Sequence, residues 1–161
     1  MSDKYQVAIE DIEDEGIFEF DFDDDIKELE DCHICAELDL RSVGDFVEVK
    51  GHADGKITLE CDRCLNKFEY NLNFDIDETF AKNSLLDEYG AELELSDGQF
   101  ITDLNGAKEI DIYDLLYQSV ILALPNKKVC GINCNEGLFL SEETKPHDSR
   151  MDVFKNIQIK K

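Results

Sequence analysis

Tryptophan is absent from this 161-residue chain, proline occurs twice and histidine three times. Basic residues are scarce as well, 16 Lys and Arg against 39 Asp and Glu, for a formal charge of −23. A surface so acidic repels a phosphate backbone, which argues against direct, non-specific nucleic-acid binding and for attraction to a basic protein. Long apolar runs are missing too. The longest clean one, Val120 to Leu124, is far too short to span a bilayer. The opening Met1-Ser2-Asp3-Lys4-Tyr5 lacks the basic-then-apolar pattern of a signal peptide, and a cytoplasmic protein is expected. There is no phosphate loop, dinucleotide fingerprint or nucleophile signature, and no basis for naming an acid–base pair. No repeat or low-complexity linker divides the chain, so one domain over residues 1–161 is expected.

Apolar residues make up 42% of the chain, enough for a packed core. Alternation supplies most of the structural signal. Gln6-Val7-Ala8-Ile9 reads as a short strand. Gly16 to Phe22 reads as another, with Phe18, Phe20 and Phe22 on one face, so residues 1–31 read as acidic N-terminal strands. Asp23-Asp24-Asp25 lacks the Gly and terminal Glu of a calcium loop and reads as a solvated turn. Phe46 to Ala53 alternates, Asp54-Gly55 carries a two-residue hairpin signal, and Lys56 to Cys61 alternates back. Phe68, Tyr70, Leu72, Phe74 and Ile76 mark the next strand, which makes Cys61 to Lys67 a strand-to-strand connection. Residues 81–98 read as an acidic loop, Phe100-Ile101-Thr102 reads as a short strand, and Asn105-Gly106 as a turn. One strong helix follows. Asp111 caps it, Ile112, Leu115, Leu116, Ser119, Val120 and Ala123 form its apolar face, and Pro125 stops it. The expected fold is α+β: an antiparallel β-meander, or partly open barrel, packed on one main helix, with a Cys-bearing C-terminal loop region.

Six cysteines in a chain read as intracellular point to metal ligands or reactive thiols more than to disulfides. Cys61-Asp62-Arg63-Cys64 presents two thiols from a turn, and Cys130-x-x-x-Cys134 presents two more on a Gly-containing loop. Together they supply the four sulfurs of a tetrahedral structural zinc site, while four ordinary reduced thiols is the bland alternative. Cys32-His33-Ile34-Cys35 has the same spacing as the first pair. However, Cys32 shares its parity with Ile34, Ala36, Leu38 and Leu40, so Cys32 faces in and Cys35 out, and this pair reads as strand. Thiol-redox chemistry at Cys61 and Cys64 is the competing reading. It lacks the helix that normally follows such a pair and acidifies it. His52 and His147 read as exposed residues, with His147 a possible substitute ligand.

The order of these features resembles the YceD family, the large ribosomal RNA subunit accumulation proteins. The resemblance rests on Val47-x-Val49-x-Gly51, Cys61-x-x-Cys64-Leu65, Ile110-Asp111-Ile112, Leu122-Ala123-Leu124-Pro125, Cys130-x3-Cys134 with Gly137-Leu138, and Asp148-Ser149-Arg150. It covers a core of about residues 40–155. Many members carry further cysteines where this chain has Phe139 and Leu140, and Asp-Pro-Arg where it has Asp148-Ser149-Arg150. The first departure removes a second metal cluster and leaves the four-Cys set. The resemblance implies a non-enzymatic role in accumulation of large-subunit (23S) ribosomal RNA and ribosome assembly. Acidity adds the expectation of a basic ribosomal protein or a pre-ribosomal particle as partner. Arg63, Lys67, Lys127, Lys128 and Arg150 are the basic residues available for a partner contact, or for RNA directly.

Overall fold

The computed structural model describes residues 3–83, 101–132 and 134. A 3-10 turn at Asp3–Tyr5 leads into β1 (Gln6–Ala8) and α1 (Ile9–Glu15). Four strands then run on from one another: β2 (Ile17–Asp25), β3 (His33–Val43), β4 (Phe46–Glu60) and β5 (Lys67–Ala81). After β6 (Ile101–Asp103) and β7 (Glu109–Asp111) comes α2 (Ile112–Ala123). The main sheet has the order β2-β3-β4-β5-β6 and is open, not closed into a barrel. Its first four strands form the expected antiparallel meander, and β6 adds to β5 in parallel. A separate antiparallel ribbon pairs β1 with β7, with Val7 opposite Ile110, and so ties the N-terminal segment to the start of α2.

Alternation decides which side of the sheet is covered. Ile34, Ala36, Leu38 and Leu40 on β3, Val47, Val49, Ile57 and Leu59 on β4, and Leu72 and Ile76 on β5 all point inward and are buried. Both helices close over this face. α1 contributes Ile9 and Ile12 against β2 and β3, and α2 contributes Ile112, Leu115, Leu116 and Val120 near β5. The N-cap of α2 is Asp111, whose Oδ1 accepts the Asp114 N–H at 3.0 Å. The opposite face carries Asp21, Asp23, Glu37, Asp39, Lys50, His52, Asp75 and Asp77, and stays in water.

Three expectations fail locally. Asp54-Gly55 is not a hairpin turn: β4 runs straight through it for fifteen residues, paired with both neighbours. Gly51 and Gly55 share the inward face with Ala53, and β3 passes so close that a Cβ on either glycine would lie 2.1 Å from a β3 carbonyl oxygen, Glu37 O or His33 O. These glycines permit close backbone approach in a curved sheet, and the chain does not reverse. Asp23-Asp24-Asp25 is likewise the last part of β2, paired with Cys35, Ile34 and His33, and not a turn. Finally, Ile9 opens a seven-residue helix, so residues 1–31 are not all strand and α2 has a smaller companion. The expected loop beyond residue 83, Gly137-Leu138, His147, Arg150 and the C-terminal tail lie outside the described residues.

Candidate metal centre

Glu60 ends β4 opposite Lys67, which begins β5, and Cys61 to Asn66 turn between them. The Cys61 N–H donates to Asn66 O and the Leu65 N–H to Cys61 O, each at 2.9 Å. Leu65 takes a left-handed φ of 59° and is itself exposed. This tight closure brings the two sulfurs of the turn within 4.8 Å of each other. The second pair arrives on the segment released when Pro125 stops α2. Asp62, between the first two cysteines, grips that segment twice: its N–H donates to Lys128 O at 2.8 Å, and its Oδ2 accepts the Lys128 N–H at 2.7 Å. Arg63 adds a 3.4 Å hydrogen bond from Nη1 to Ile132 O.

The result is a four-sulfur cluster. The Sγ atoms of Cys61, Cys64, Cys130 and Cys134 all lie within 4.8 Å of one another. Cys61 and Cys134 are separated by 3.7 Å and Cys64 and Cys130 by 3.5 Å, too far for disulfides, and all four are free thiols. Zn–S bonds of about 2.3 Å arranged as a tetrahedron place the sulfurs about 3.8 Å apart. The donor set and its spacing therefore suit a thiophilic ion, and four such groups could coordinate one.

Burial and charge are uneven across the cluster. Cys61 is fully buried, Cys64 and Cys134 are half-buried, and Cys130 is exposed. The backbone N–H of Cys64, helped by those of Cys130 and Arg63, draws the Cys61 thiol down to about 6. The Cys130 N–H reaches Cys61 Sγ at 3.4 Å. Cys130 is pushed up to about 12, chiefly by its hydrogen bond with the Cys64 sulfur. The Cys61 thiolate is thus stabilised while Cys130 holds its proton, because negative sulfurs at this distance repel one another unless a cation sits among them. A redox pair normally exposes its acidic thiol beside a helix N-terminus. Here the acidic thiol is the buried one, and a strand follows it.

The other expected site residues are dispersed. Cys32 is buried next to β3 and pushed up to about 11 by desolvation, while Cys35 faces solvent, as their parity required. Lys67 is ion-paired with Glu30, Lys127 is exposed, and Lys128 is half-buried with its backbone engaged by Asp62. Asp62 was not anticipated. Its role depends on a partner 66 residues away, and nothing in the local sequence announces it.

Comparison with known families decides the relationship. Residues 49–156 match the family described as large ribosomal RNA subunit accumulation protein YceD. The chain belongs to the YceD family. The matched region starts within β4 and includes both cysteine pairs and α2. The YceD description is that of an accumulation protein and not of an enzyme, in agreement with the thin catalytic inventory. No curated protein and no solved structure matches the chain. Among the described residues, no helix is long and apolar enough to cross a membrane.

Proposed function

We propose that this protein is a cytoplasmic, non-enzymatic factor that supports accumulation of large-subunit (23S) ribosomal RNA during ribosome assembly. The family match over residues 49–156 carries this reading. The charge of −23 favours a basic ribosomal protein, alone or within a pre-ribosomal particle, as the direct partner over naked RNA. Arg63, Lys127 and Lys128 are the candidate contacts around the cysteine segments, Arg150 is a further candidate outside the described residues, and Lys67 serves only if it exchanges Glu30 for the partner. In the same proposal Cys61, Cys64, Cys130 and Cys134 hold one structural zinc. Convergence of four sulfurs from two remote segments supports it, and four protein ligands leave no position for a reactive water. The ion would staple the β4–β5 turn to the segment after α2.

The functional test combines affinity capture with ribosome profiling. Capture of the full-length protein recovers a large-subunit protein or precursor particle, and deletion lowers the large-subunit RNA relative to the small. Normal profiles in the deletion strain, with no ribosomal component captured, would overturn the proposal.

A further inference from the structure

The solvent-facing side of the sheet holds a second convergence of donors, independent of the four-Cys cluster. The register sets Asp23 opposite Cys35 and Asp25 opposite His33. His33 and Cys35 are two residues apart on β3 and so share a face. His33 Nε2 lies 3.0 Å from Asp23 Oδ1, Cys35 Sγ lies 3.5 Å from the same oxygen, and Cys35 Sγ lies 3.9 Å from His33 Nε2. A tetrahedral zinc with bonds of about 2.0 Å to oxygen, 2.1 Å to nitrogen and 2.3 Å to sulfur spaces these donors by about 3.4, 3.5 and 3.6 Å. The three side chains thus already outline one triangular face of such a polyhedron. Behind the ring, His33 Nδ1 is 2.8 Å from Asp25 Oδ1. A carboxylate can only accept, so Nδ1–H donates and Nε2 is aimed at the other two donors. A carboxylate in this position is the usual outer partner of a metal-binding histidine.

We propose that Asp23 Oδ1, His33 Nε2 and Cys35 Sγ form a second, exchangeable site for a borderline transition-metal cation such as Zn²⁺ or Co²⁺. One divalent cation replaces two protons, one from Nε2 of the imidazolium held between Asp23 and Asp25 and one from the Cys35 thiol. Both pass to solvent, and the net charge is unchanged. Nitrogen and sulfur in the donor set discriminate against Ca²⁺ and Mg²⁺, which take oxygen. An open groove of about 300 Å³ adjoins the site, lined by Asp21, Glu37, His52 and Asp54 along with Asp23 and Cys35. It leaves the fourth position to water or a small ligand. Asp54, opposite Cys35 on β4, is the nearest further carboxylate by register. His52 is already engaged by Asp75 at 2.7 Å and stays outside the set. The partner of Cys35 is therefore across the sheet on β2, and not Cys32 three residues before it.

The test is metal titration of the reduced, full-length protein with Zn²⁺, repeated with Co²⁺ to read sulfur ligation by its charge-transfer absorption. An ion is expected that a chelator of moderate strength removes, in addition to any held by the four cysteines. His33→Gln and Cys35→Ser each weaken that ion by at least about 10-fold, while the thermal midpoint and the tightly held ion stay unchanged. These two substitutions score the exposed site alone, so the result does not depend on whether the four-Cys cluster binds zinc. Absence of a labile ion at saturating Zn²⁺, or a labile ion that survives both substitutions, would overturn the proposal.

Discussion

The two cysteine-bearing clusters gather different donor sets in opposite settings. Cys61 and Cys64 meet Cys130 and Cys134 across more than sixty residues of chain, around a fully buried sulfur, with four donors closing on one another. Asp23, His33 and Cys35 meet across adjacent strands, on an exposed face, with one side open. Removing the first takes away one tie between the β4–β5 turn and the segment after α2, beside the Asp62–Lys128 hydrogen bonds. Removing the second leaves the sheet ladder intact, because backbone pairing and not the side chains holds β2 to β3. Closure and chain separation suit the first cluster to the staple role proposed for it. Openness and locality suit the second to the exchangeable site proposed for it.

The largest effect should follow from attacking the staple. Cys61→Ser combined with Cys130→Ser removes one ligand from each segment. If zinc is bound at a free concentration about a thousand times its Kd, linkage costs about 4 kcal/mol on its loss. Thermal or denaturant unfolding, with and without zinc, reads this directly. Equal midpoints for the variant and the parent would erase the difference between the clusters.

A smaller effect is expected where the sheet, and not a cysteine, is disturbed. Gly55→Ala drives a methyl group toward His33 O, 2.1 Å from an ideal Cβ. Overpacking of this kind costs about 1–3 kcal/mol. Because His33 lies at the point of conflict, cation binding at the exposed face should weaken while the four-Cys ion is retained. Equal weakening of both ions would mean that the two regions are not independent.

How much of this was readable beforehand varied with the range of the interaction. Parity alone separated buried Cys32 from exposed Cys35, because one strand's alternation is a local property. The α2 helix was equally legible from Asp111, its apolar spacing and Pro125. Asp54-Gly55 misled because glycine serves both a reversing turn and a close strand approach, and only the neighbouring strand distinguishes them. α1 was missed because its seven residues bury only Ile9 and Ile12, too few to establish a period. The four cysteines could be nominated by spacing, but their meeting depends on where the chain goes after α2. The Asp62–Lys128 bonds that bring the segments together have no sequence signature, and the Asp23–His33–Cys35 set required the β2–β3 register.

The smallest effect concerns the end of β2, from which Asp23 and Asp25 project. Tyr5 donates its hydroxyl to Asp24, and this hydrogen bond chiefly lowers the Asp24 carboxyl from an ordinary 3.8 to about 2. A carboxylate lowered on folding stabilises the native state above its unfolded pKa, and that contribution disappears as pH falls through the folded value. Tyr5→Phe should therefore be slightly less stable than the parent above about pH 4, and the gap should close as pH falls through about 2. A gap that widens on acidification would contradict this role for Tyr5. Since the half-buried Asp24 carboxylate still meets water, the difference is modest.

The most direct test of the central claim is the metal content of the reduced, full-length protein after dialysis against a moderate chelator. A structural staple predicts about one zinc ion per chain, resistant to that treatment and lost when Cys61 and Cys130 are both replaced by serine. Protein that emerges metal-free with its unfolding midpoint unchanged, or that keeps its zinc in the double variant, would contradict it.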